Sequence, residues 1–132
     1  MLPDFATALH LRLTTDTALT DVVPAERIQN FIQDDAPYPH IDWRLEDVEH
    51  GDSKDEENYE GSLVLEVFTD YSGDLKSYEI HQLIYTLLHA QPLSVTGANN
   101  PIIRFESINV TTADDNRERQ ATITYSFMIG EP

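Results

Sequence analysis

The stretch Ala36-Pro37-Tyr38-Pro39-His40-Ile41-Asp42-Trp43-Arg44-Leu45 decides how the rest of the chain is read. Two prolines flank one aromatic residue, so the backbone there is extended and no helix can start. Alternation follows at once. Ile41, Trp43 and Leu45 share one face and Asp42, Arg44 and Glu46 the other, which is the period of a half-buried strand. A proline at the head of a strand further predicts that its beginning lies at a sheet edge, where Pro39 blunts uncontrolled pairing.

Outward from this strand, residues 4–14 read as an amphipathic helix with Phe5, Ala8, Leu9 and Leu13 on one stripe and Asp4 at the N-cap or in the first turn. Asp16 or Thr17 is placed to cap a short second turn carrying Ala18, Leu19 and Val22, and Pro24 ends it. Arg27 to Phe31 reads as a short strand. Gly61 to Tyr71 reads as another, with Leu63, Leu65 and Val67 on one face and Val64, Glu66 and Phe68 on the other. Leu75 to Ala90 has the clearest helical period, through Ile80, Leu83, Ile84, Leu87 and Leu88, with Asp74 as its expected N-cap. A brief strand is expected at Leu93-Ser94-Val95.

Two strands close the chain. Ile102 to Val110 places Ile103 and Phe105 on one face and Ile102, Arg104, Glu106 and Ile108 on the other. Asp114-Asp115-Asn116 turns the chain, and Ala121 to Ile129 alternates with Ile123, Tyr125, Phe127 and Ile129 inward. The order α, β, β, β, α, β, β, joined by turns, predicts an α+β fold: an antiparallel or mixed sheet of four to five strands with two main helices on one face. Length and hydrophobic content fit a single domain spanning 1–132, since 132 residues with 40% hydrophobic content supply a core. No basic, apolar leader is read at the N-terminus, and no segment approaches the ~18 apolar residues needed to span a bilayer.

Charge is the extreme property. Eight Lys and Arg face 24 Asp and Glu, a net charge of −16, so few cations are available to neutralise phosphates. Eight of the acids fall within Glu46 to Glu60 beside the single Lys54, a local charge of −7, and this segment reads as an exposed hairpin loop. Such acidity keeps a protein soluble, and it also suits a surface that stands near another polyanion without adhering.

Catalytic and metal constellations fail on inspection. The five glycines are too dispersed for a phosphate loop, and no histidines stand at the i, i+4 spacing of a helical zinc pair. Read from Asp52, the acidic segment lacks the glycine and final glutamate of a calcium loop. The pairs Asp34-Asp35 and Asp114-Asp115 are turn residues. There is no cysteine, hence no thiol nucleophile and no disulfide. Arg104, inside Ile102-Ile103-Arg104-Phe105-Glu106, is read as forming an ion pair within the sheet or across a subunit boundary. No enzymatic activity and no cofactor are expected.

The ordered elements resemble a family, the small tail-completion (tail terminator) proteins of long-tailed phages and gene transfer agents. The resemblance rests on Ala6-Thr7-Ala8-Leu9-His10-Leu11-Arg12-Leu13, Asp16 to Val23, Arg27-Ile28, Asp35-Ala36-Pro37-Tyr38-Pro39-His40-Ile41, Leu63 to Phe68, the helix around Ile84, Pro92-Leu93 and Arg104-Phe105-Glu106. The segment after Trp43 is more acidic than the family pattern. The resemblance implies a structural virion protein, made in the host cytoplasm and not membrane-bound. It implies a homo-oligomeric ring of six on the head-proximal end of the tail, touching the tail tube protein and the head-completion (stopper) protein. It also implies that the ring ends tube polymerisation and lets DNA pass without specific binding.

A ring contact is head-to-tail, so each copy needs two different patches. Paired charges suit such a seam, which marks Arg27, Arg44, Arg104 and Glu106 as candidates. Asp52, Asp55, Glu56 and Glu57 are candidates for a lumen- or tube-facing acidic loop. The alternatives are an acidic DNA mimic occupying a basic partner and an enzyme on the same scaffold.

Overall fold

The structure, a computed structural model, describes residues 1–51, 56–113 and 117–132. Helix α1 spans Leu2–Thr15, with Pro3 in its first turn and Phe5, Leu9 and Leu13 buried at successive four-residue steps. The Asp16 carboxylate caps the short helix α2, Thr17–Thr20, by accepting the Leu19 N–H at 3.0 Å. Of the expected Ala18, Leu19 and Val22, Leu19 is fully buried, and Val23 is the other residue fully buried there. Five strands follow: β1 Ile28–Gln29, β2 His40–His50, β3 Asn58–Asp70, β4 Ile102–Thr112 and β5 Glu118–Gly130, with helix α3, Leu75–Leu88, between β3 and β4.

The sheet order is β1-β2-β3-β5-β4, with β1 parallel to β2 and every other pair antiparallel. The expected α+β fold is present, and both long helices lie on one face. Rows of inward residues run across the strands, such as Trp43, Leu65, Ile123 and Ile108. Phe5 of α1 meets Phe127 of β5 at 4.9 Å between ring centroids, and His81 of α3 meets Phe105 of β4 at 4.9 Å. Arg12 ties the two helices: its guanidinium donates to the carbonyls of Leu87 (3.1 Å) and Pro92 (2.9 Å), which cover the end of α3.

Several local expectations are corrected. The strand at 27–31 shrinks to two residues, because Arg27 closes a 3-10 turn on the Pro24 carbonyl (2.8 Å). The Asn30 side chain, not its backbone, then donates to the Trp43 carbonyl (2.8 Å) and ends the ladder. With β1 against its start, β2 is the second strand rather than an edge. Most of the described residues of the acidic 46–60 segment are strand: β2 reaches His50 and β3 starts at Asn58. Asp74 sits at the N-cap of α3 with no side-chain capping bond, because Arg119 Nε holds its carboxylate at 3.0 Å. Helix α3 stops at Leu88, and Ala90 has φ +53. Leu93 and Val95 are buried without forming a strand.

Two bulges change the alternation. Glu46 pairs with Ser62 and Glu49 with Glu60, so Asp47 and Val48 stand opposite Gly61 alone. On β4, Phe105 pairs with Tyr125 and Ser107 with Thr124, leaving Glu106 as the extra residue. That insertion brings Ile108 and Val110 to the same face as Ile103 and Phe105, where they pack on the core. The expected outward placement of Ile108 is thereby overturned.

Candidate functional site

The helices leave one face of the sheet uncovered. Across it run His40, Asp42, Arg44 and Glu46 of β2, Phe68, Glu66, Val64, Ser62 and Glu60 of β3, and Thr122, Thr124, Ser126 and Met128 of β5. Acids dominate. Glu66 stands beside Asp42 in register, and Glu49 directly opposite Glu60. Arg44 partly neutralises this face, with Nε 2.5 Å from Glu46 and an Nη 3.1 Å from Glu66. The Glu46 hydrogen bond leads in raising the Arg44 pKa, against the opposing effect of partial burial.

The described cations are almost all engaged within the chain. Arg12 and Arg27 donate to carbonyls, Arg44, Arg117 and Arg119 meet carboxylates, and Lys76 lies 4.0 Å from Glu79. Arg104 is the exception among the described residues: it is exposed on β4 opposite Ser126, and its side chain has no ion pair or hydrogen bond. Its neighbours in register are the apolar pair Ile102 and Met128, 49% and 52% exposed. The backbone of this part of the edge is already occupied. Ala90 N–H donates to the Ile103 carbonyl (2.8 Å) and Phe105 N–H to His89 Nδ1 (3.0 Å), so strand addition there is blocked.

The opposite edge has a different chemistry. Gln33 Nε2 lies 3.0 Å from the Arg27 and Ile41 carbonyls and 2.8 Å from Asp42 Oδ1, which fastens the 30–36 loop against β2. Phe31 and Ile32 are left 61% and 76% exposed, followed by exposed Asp34 and Asp35 without a partner among the described residues. Beside them an open groove of about 500 Å³ runs between α1 and β1, lined by His10, Leu11, Gln29, Asn30, Phe31 and Trp43 among others. Trp43 Nε1–H donates to His10 Nδ1 across its floor at 3.2 Å. Among the described residues no three His, Asp or Glu side chains converge on a common point that would hold a metal ion.

A family model described as Tail completion protein gp17 matches residues 7–130. The chain belongs to this family. It is therefore a structural protein of a phage-type tail and a component of the virion. The fold is also similar to that of a chain in the virion of a native gene transfer agent particle, with a TM-score of 0.79, 15% identity, and coverage of 94% of this chain and 92% of that one. A second solved chain superposes with a TM-score of 0.72 at 13% identity, over 98% of this chain and 95% of its own. These likenesses establish the fold. No curated protein matches the sequence.

For a tail completion protein the interest lies in surfaces, and the structure sorts the sequence-derived candidates. Arg27 Nη donates to the Tyr38 carbonyl (3.0 Å) and serves the internal loop. Arg44 is engaged by Glu46 and Glu66 on its own sheet face. Arg104 has no in-sheet ion pair, and Glu106, also exposed, occupies the β4 bulge. Glu56 is exposed, and Glu57 lies 3.8 Å from the Met1 ammonium. Asp52 and Asp55, like the turn at 114–116, lie outside the described residues.

Sequence reasoning missed Phe31 and Ile32, although a signal was present. The two apolar residues adjoin the polar run Gln33-Asp34-Asp35 at the end of the short strand, where no further strand or helix period was available to bury them.

Proposed function

We propose that this tail completion protein closes into a ring, of six copies by family resemblance, on the head-proximal end of the tail tube. There it stops tube polymerisation and joins the tail to the head connector through the stopper protein, leaving a central channel for DNA. The role is non-catalytic. Family membership over residues 7–130 carries this reading. Two sheet edges of unlike chemistry support it, since a head-to-tail ring needs two dissimilar patches on every copy.

In this reading the β2–β3 part of the uncovered sheet face, with Glu46, Glu49, Glu60 and Glu66, looks toward the channel. Within about a Debye length, ~10 Å at 0.1 M salt, its charge repels the phosphate backbone and keeps passing DNA from adhering. Deleting the gene product tests the assembly role. The expected particles have tubes of irregular length and unjoined tails, seen by electron microscopy. Normal tubes joined to filled capsids without this protein would overturn it.

A further inference from the structure

We infer that the seam between copies joins the β4 edge of one subunit to the 31–35 segment beside β1 of the next. Ile102 and Met128 pack on Phe31 and Ile32, while Arg104 pairs with Asp34 or Asp35. The inference rests on the ring reading above and adds to it the contact surface and its occupant, a second copy of this chain.

Three observations carry it. Arg104 is unpaired within the subunit although the protein has net charge −16 and engages its other described cations. A cation left open in so acidic a chain is placed to meet a carboxylate from outside. Asp34 and Asp35 are open in the complementary sense. Each charge is accompanied by two exposed apolar side chains, so both patches combine an apolar contact with one sign of charge.

The patches cannot satisfy each other within one subunit. They flank opposite edges of the sheet, four strand spacings or about 19 Å apart. Ile102 lies at the level of Glu60 and the 31–35 segment near the level of Glu66, a further offset of about 20 Å along the strands. The line joining the patches therefore crosses the sheet diagonally, and strands in the closed ring are tilted to its axis. Because His89 and Ala90 occupy the β4 backbone at 103–105, the contact is made by side chains and not by strand addition.

The native chain has no cysteine, so engineered cross-links carry no background. Particles are assembled with Ile32→Cys, with Ile102→Cys and with both, then mildly oxidised. The expected result is a ladder of covalent multimers from the double variant only. Self-cross-linking of either single variant would reveal a two-fold contact and overturn the seam. Charge reversal gives a second arm. Arg104→Glu is expected to lower occupancy at tail ends about tenfold, and Asp34→Arg with Asp35→Arg to restore it. All three positions are exposed, and unchanged thermal melts verify folding.

If the unmodified protein is absent from tail ends, the ring reading falls and the seam with it. If it is present there and the double cysteine variant, equally incorporated, yields no ladder, the seam alone falls.

Discussion

Gln33 and Asp42 meet at two points: Gln33 Nε2 lies 2.8 Å from Asp42 Oδ1, and the Gln33 backbone N–H lies 3.3 Å from Oδ2. Asp42 is buried on the outer sheet face, and this contact supplies hydrogen bonds to a carboxylate that has lost water. The same glutamine fixes the loop that exposes Phe31 and Ile32. Gln33→Ala is expected to cost about 1–3 kcal/mol, because it leaves a buried acceptor unsatisfied. Urea unfolding measures the loss. A change below the error of the method would show that the loop does not depend on this contact.

The bulge opposite Gly61 makes a paired prediction. A Cβ at Gly61 would stand 3.0 Å from the Glu46 carbonyl oxygen, 3.1 Å from Val48 Cα and 3.2 Å from the Phe127 ring. Two of these neighbours are backbone, so Gly61→Ala is expected to destabilise by about 1–3 kcal/mol. Asp47, on the other strand, has φ +53, a region that glycine occupies freely. Asp47→Gly is therefore expected to stay within about 1 kcal/mol of the parent, relief of strain offsetting the greater freedom of the unfolded chain. Equal losses from both variants in thermal melts would contradict the assignment of the bulge.

His81 predicts a pH dependence. Desolvation lowers its pKa below 6.5, so the imidazole is held neutral among Tyr85 and Phe105. A group with a depressed folded pKa binds protons more readily when unfolded. Its contribution is present above pH ~6.5 and is lost as pH falls through the lower, folded value. Denaturant midpoints are expected to drop between pH 7.5 and 5.5, and His81→Gln to flatten that drop. Tyr125 does not contribute, because burial and then the neighbouring Tyr85 raise its pKa and keep the phenol protonated throughout.

Like charge on the uncovered face is expected to limit stability. Glu49 and Glu60 are direct cross-strand partners. Glu60→Gln is expected to stabilise by about 0.2–1 kcal/mol at low salt, and the gain to shrink as added sodium chloride screens the pair. Melting temperatures across a salt series check both points. A variant less stable than the parent at every salt concentration would show that Glu60 has a compensating contact.

The long elements were legible because their side-chain period is set by the chain itself. Phe5, Leu9 and Leu13 mark α1, and Ile123, Tyr125, Phe127 and Ile129 mark the inward face of β5. Ile108 departs from simple alternation because the bulge at Glu106 resets it, and no residue type announces a bulge whose cause is register with a neighbouring strand. The position of Asp74 before α3 suits a cap, but Arg119, distant in sequence, takes its carboxylate.

Arg104 stands out as a cation inside a strong strand, but whether it has a partner within the sheet depends on which residues β5 brings beside it. The candidates at 52 and 55 rested on charge density, a property of composition that carries no position.

Local sequence alone determined the class of this protein: an acidic α+β chain with two amphipathic helices and alternating strands. Those features follow from periods of 3.6 and 2 residues and from a charge count, all of which are local. Tertiary structure decided which charges remain free and which edges remain open. An ion pair joins residues far apart in sequence, so only the folded register could show Arg44 engaged and Arg104 waiting.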